Sequence, residues 1–274
     1  FEYNCVKYTV NTISKAAFSG CTGLTSVTIL SSVSVLPDYM FKDCSNLNSV
    51  TIPDVVTKIG IGAFEYCIGL TSIELPSNLT YLGVAAFEGC TNLSSISLPS
   101  GVTLIYDRCF YNCNSLESCT MGDDVTMIAT YAFAGCASLK KLVIPDKIMT
   151  ISIGAFNGCT SLTDFYCVAL KMPNTSVDAF DTSNINNATL HVHGNIIDNF
   201  KTNTPWNNFA NIIPITTSDN VGVIRMDDSN LKLNPDIDDF TYSGEAIEYN
   251  IQVVYNNTSL TEGTDYNISY QQGG

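Results

Sequence analysis

Eleven cysteines are the most conspicuous chemistry-bearing residues of this chain. Seven recur at a fixed interval: Cys21, Cys44, Cys67, Cys90, Cys113, Cys136 and Cys159. Cysteines in such number pair as disulfides, bind a metal, or fill a core as small hydrophobes. Equivalent positions of stacked repeats project side by side, and parallel Cβ vectors do not suit a disulfide. The run Cys109-x3-Cys113-x5-Cys119 matches no usual zinc spacing. Reduced, metal-free core thiols are therefore expected, and apolar burial should make them inert by raising their pKa. Cys5 stands off the series. His191 and His193 lie two apart, on one face if the segment is a strand. That spacing permits a metal pair, but only Asp164 offers itself as a further ligand, so ordinary exposed strand histidines are the simpler expectation. There is no G-x-S-x-G and no phosphate loop. Glu74 and Asp164 fall four repeats apart, too far for paired acid–base work. Neither catalysis nor a cofactor is expected.

What positions these residues is a repeat. Phe recurs at 18, 41, 64, 87, 110, 133 and 156, every 23 residues. Cys follows three later and Leu three later again, at 24, 47, 70, 93, 116, 139 and 162. The stretch Leu70-Thr-Ser-Ile73-Glu-Leu75 alternates, so Ile73 and Leu75 point in while Ser72 and Glu74 point out. Pro at 53, 76, 99 and 145 stops the strand in four of the repeats. Ile59, Ala63, Phe64 and Cys67 then recur at about one helical turn, which reads as a short helical or 3-10 segment. The expected fold is a leucine-rich repeat solenoid of about eight turns, with a parallel sheet on the concave face and helical segments on the convex side.

The unit I-G-x-x-A-F-x-x-C-x-x-L-x-x-I-x-L-P, read at Ile59 to Pro76, resembles the BspA-type leucine-rich repeats of bacterial and protozoan surface proteins. The likeness covers roughly residues 1–215. It implies an extracellular or cell-surface location and a role in recognition or adhesion.

The period breaks after Phe156: Ala179-Phe180 comes 24 later and lacks the Cys. Residues 188–193 alternate as a last strand. Residues 194–209 read as a helix and a helical turn, a cap over about 185–215 in which Trp206, the only tryptophan, serves as a plug. From Thr216 the character changes. Residues 216–274 hold ten acidic and two basic residues, with strand-like pieces at 222–226, 247–255 and 266–270. The text from Phe240 to Tyr270 resembles bacterial Ig-like surface modules. A full sandwich needs about 100 residues, so a partial all-β module is expected over 216–274. The acidic run Asp236-Ile-Asp238-Asp239 lacks the glycine and spaced ligands of a calcium loop, and reads as a solvated turn.

Function is then a question about the outward strand positions. Those of the first five repeats are Ser26/Thr28, Ser49/Thr51, Ser72/Glu74, Ser95/Ser97 and Ser118/Thr120. The last three are Lys141/Val143, Asp164/Tyr166 and Thr189/His191. Aromatic and charged groups anchor partners better than hydroxyls. A partner site is therefore expected at Lys141, Asp164, Tyr166 and His191, with Glu117 and Lys140 at its margin. The partner would be a host or neighbouring-cell protein or glycan. The competing reading is a stiff, non-binding spacer or stalk. Of the 274 residues only 14% are charged, with a formal net charge of −14. That excludes phosphate-neutralising nucleic-acid binding and docking on anionic lipid. No run of 18 apolar residues would insert in a membrane. A monomer is expected.

Overall fold

The computed structural model describes residues 13–216, together with the backbone of the strands Glu2–Tyr3, Val6–Lys7, Leu231–Asn234, Gln252–Tyr255 and Thr258–Leu260. The chain divides into two compact units, Phe1–Pro214 and Ile215–Gly274. In the second, three described strands pair antiparallel, with Lys232 opposite Val254 and Val254 opposite Ser259. The expected strands at 222–226 and 266–270, and the Ig-like resemblance built on them, lie outside the described residues.

The first unit is a solenoid of eight coils, numbered by Phe18, Phe41, Phe64, Phe87, Phe110, Phe133, Phe156 and Phe180. Its core is a column of these rings, stacked from coil to coil at 5.1–5.8 Å between centroids. Phe41 to Phe156 are fully buried. A 23-residue unit cannot cover its own Phe, so each ring is covered by its neighbours. Phe64, Cys67, Leu70 and Ile73 are buried as the alternation requires, whereas Leu75 is only half-buried.

Most coils contribute two strand pieces rather than one, but the strand expected within Leu70–Leu75 of coil 3 does not form. The expected strands form the first face: Ser26–Thr28, Ser49–Thr51, Ser95–Ser97, Ser118–Thr120, Lys141–Ile144, Asp164–Cys167 and Thr189–Val192, all pairing parallel and in register where they pair. A second set of two-residue strands runs from Val35–Leu36 to Asn174–Thr175, also parallel. This second ladder replaces the first part of the expected helical segment.

The rest of that segment is an arch of tight turns, with no helix among residues 13–183. From Phe18 to Phe156, the residues two before and two after each Phe take positive φ, as at Tyr39, Asp43, Tyr66, Arg108, Asn112 and Tyr131. Consecutive right-handed residues are what a helix requires, so this alternation forbids one. The N–H groups alternate in consequence. Half close i→i−3 turns, as Cys44 N to the Phe41 carbonyl does, and half donate to the next coil, as Tyr39 to Ile61, Phe41 to Ala63 and Asp43 to Glu65. The same inter-coil pattern recurs from coil 1 through coil 7.

Left-handed tyrosines meet glycines one coil on. The Tyr66 ring lies where a Cβ on Gly89 would have to sit, and Tyr131 bears the same relation to Gly154. Both glycines also have positive φ, +71° and +58°.

The C-terminal end of the unit carries short helical elements. Helix Ile197–Thr202 and the 3-10 turn Trp206–Asn208 close over the last coil. Trp206 is buried against Phe165, Phe180, Phe200 and Phe209. One element departs from the reading of residues 188–193 as the last strand. The cap returns the chain as a further parallel strand, Asn211–Pro214, which sets Ile212 beside Leu190. That strand covers an edge the cap would otherwise expose.

Candidate functional site: a charged and aromatic cluster on the strand face

Parallel in-register pairing brings equivalent outward residues side by side. Lys141 pairs with Asp164 and Asp164 with Thr189; Val143 pairs with Tyr166 and Tyr166 with His191. Four predicted site residues thereby meet in one cluster. The Lys141 ammonium stands 4.5 Å from the Tyr166 ring centroid. Tyr166 stacks on His191 at 3.9 Å, with 12° between planes. His191 Nε2 lies 3.0 Å from Asp164 Oδ1. Glu117 and Lys140 form their own ion pair at 3.3 Å, with both side chains 61% exposed.

Two of these residues are not the exposed anchors that alternation suggests. Tyr166 is 6% exposed and His191 7%. The reason lies in the register. Tyr166 is flanked by the cation of one coil and the imidazole of the next, so its ring is consumed inside the stack. Lys141 stays exposed, and the Asp164 side chain is 40% exposed. The accessible chemistry is therefore a cation, a carboxylate and the Glu117–Lys140 pair, carried on an aromatic scaffold. The two histidines engage different partners, His193 Nε2 lying 3.0 Å from the Val168 carbonyl oxygen.

The thiol series has a role beyond filling space. The thiols of Cys44, Cys67, Cys90, Cys113, Cys136 and Cys159 each donate to the Phe carbonyl of the preceding coil, at 3.0–3.4 Å. Burial pushes Cys119, Cys159 and Cys167 up to about 12 and raises the other buried thiols as well. Cys21 corrects the expectation of uniform burial: it is exposed, as Phe18 is at 39%, because no described coil precedes theirs. The apparent loss of Cys in coil 8 is a substitution. Ser183 takes its place, and its hydroxyl donates to the Phe156 carbonyl. The signal was in the sequence, at the third residue after Phe180. Cys5 lies outside the described residues.

Sequence reasoning also missed the ion pairs of the arch. Lys42 Nζ donates to Glu65 at 2.8 Å. Arg108 binds Glu88 through two nitrogens and lies over the Tyr111 ring at 3.9 Å. Their spacings, 23 and 20 residues, become legible only once the coil geometry is known.

A family model described as a BspA type leucine rich repeat region (6 copies) matches this chain over residues 11–140, 83–201 and 126–261. The chain belongs to the BspA-type leucine-rich repeat family. Among solved structures, the leucine-rich repeat protein of T. pallidum is 31% identical with a TM-score of 0.52, over 55% of this chain and 70% of that one. A leucine-rich repeat protein from Eubacterium ventriosum is 27% identical with a TM-score of 0.50, over 59% of this chain and 43% of that one. No curated protein matches the sequence. The BspA-type repeats of this chain thus have solved counterparts for their fold.

Proposed function

We propose that this BspA-type protein is a recognition module outside the cell or at its surface. It contacts a protein or glycan partner through the C-terminal third of its strand face, with Lys141, Asp164, Lys140 and Glu117 as contact groups. Tyr166 and His191 position Lys141 and Asp164. The observation that carries this reading is the chemical contrast along one face. Five coils offer hydroxyls and a single carboxylate, and the next three gather a cation, a phenol, an imidazole and a carboxylate in one stack. Family membership supports the surface location and a binding rather than catalytic role.

The spacer reading keeps one observation in its favour: Glu117–Lys140 and His191–Asp164 satisfy each other internally. The two readings separate on a glycan array and a panel of purified extracellular-matrix proteins. Recognition requires a partner whose binding falls at least tenfold in Lys141→Glu and hardly changes in Thr51→Ala. The opposite pattern moves the site to the N-terminal coils. No partner at all on either panel supports the spacer.

A further inference from the structure

The first-face ladder is interrupted at coil 3. Ser26–Thr28 pairs with Ser49–Thr51, and Ser95–Ser97 pairs with Ser118–Thr120, but the segment between them, 72–75, pairs with neither neighbour. Ser94 N still reaches the Thr71 carbonyl at 3.0 Å, while Ser72, Ile73, Glu74 and Leu75 make no backbone hydrogen bond to an adjacent coil. Leu75 and Ile52 are only half-buried here, whereas their equivalents Ile29, Leu98 and Ile144 are buried.

Two shallow, open depressions flank this segment. One of about 340 Å3 is lined by Ile73, Glu74, Leu75, Ser97 and Pro99. The other, of about 280 Å3, shares Ile73 and Glu74 and runs to Thr51 and Ile52 on the coil 2 side. Glu74 stands between them. Of the four described glutamates, Glu65, Glu88 and Glu117 each hold a Lys or Arg, and Glu74 alone forms no ion pair.

We propose that this gap is a binding site for an arginine side chain of a partner protein, with Glu74 as its counter-ion. Three features select that chemistry. An unpaired carboxylate on a chain of net charge −14 attracts a cation. The half-exposed side chains of Leu75 and Pro99 suit an aliphatic stem. Backbone groups left without a coil partner, beside a carboxylate, suit a planar guanidinium with five donors better than a compact, strongly hydrated ammonium. The site goes beyond the C-terminal cluster and does not rest on it.

The test is a titration of the isotope-labelled full chain with N-acetyl-arginine methylamide, using the neutral citrulline analogue as the matched control and amide chemical shifts as the readout. The expected result is saturable shifts at Ile73, Glu74, Leu75 and Ser97 with the arginine probe alone. Glu74→Gln should weaken the probe at least tenfold, Ser97→Leu should do the same by filling the depression, and Asp181→Asn, at an exposed carboxylate of coil 8, should leave binding unchanged. Equal response to citrulline, unchanged affinity in Glu74→Gln, or shifts spread evenly over the acidic surface would each overturn the assignment.

Discussion

The arch and the first strand face are built from the same coils and held together differently. Along the arch, inter-coil hydrogen bonds recur from the Ala16–Asp38 step to the Phe156–Ala179 step, backed by the Phe column and the thiol donors. Along the strand face the ladder is open on both sides of coil 3 and again between Ser118–Thr120 and Lys141–Ile144. The arch therefore sets the stacking, and the strand face is free to vary. That is why chemically diverse outward residues accumulate on the face that contributes less to holding the coils together.

This contrast predicts that substitutions in the arch cost more than those on the strand face. Phe110→Ala removes one ring from the column and should destabilise by about 3–5 kcal/mol in chemical denaturation. A cost below about 1 kcal/mol would mean that the column is not what joins the coils. Gly89→Val places a branched side chain at positive φ against Tyr66, and should cost roughly 1–3 kcal/mol. Pairing it with Tyr66→Ala should recover the steric part and leave the backbone part.

Cys136→Ala deletes a buried donor and leaves the Phe110 carbonyl with one bond fewer, a loss of about 1 kcal/mol. Cys136→Ser keeps a donor, as Ser183 does naturally, and should be the milder change; if Ala is tolerated better, the thiol is only a spacer. The raised thiols also set a pH dependence. The unfolded chain ionises its thiols near pH 8.5 while the folded chain retains the protons. Stability should be level below that pH and fall as it rises toward 12, read as a lower denaturation midpoint at pH 10 than at pH 7.5. On the strand face, Lys140→Ala breaks an exposed pair and should change stability by about 0.5 kcal/mol or less.

The fold was largely legible in the sequence, and the reasons are specific. A column of Phe needs Phe at every period, and an inward strand position needs an apolar residue, so both leave a mark. The arch did not, because positive φ is carried by residues as unlike as Tyr39, Arg108 and Thr182 as well as by glycine. Their backbone conformation follows from neighbouring coils rather than from residue type. At the candidate site, alternation put Lys141, Asp164, Tyr166 and His191 on one face, and in-register pairing brings them into contact. Alternation could not show that Tyr166 would be enclosed between Lys141 and His191, because burial by a lateral neighbour is invisible to a period of two. The gap at 72–75 carries no sequence signal beyond Glu74 itself.

The thiol donors have one further consequence. Each reaches across a single junction, from Cys44 to coil 1 up to Cys159 to coil 6. Exposing a given Sγ therefore requires that one boundary to part, and repeat arrays come apart by boundaries rather than all at once. The cysteines form a graduated ruler along the solenoid. Pulsed alkylation, mapped by peptide mass, would read fraying coil by coil: Cys21 labelled at once, the others in the order in which their junctions yield.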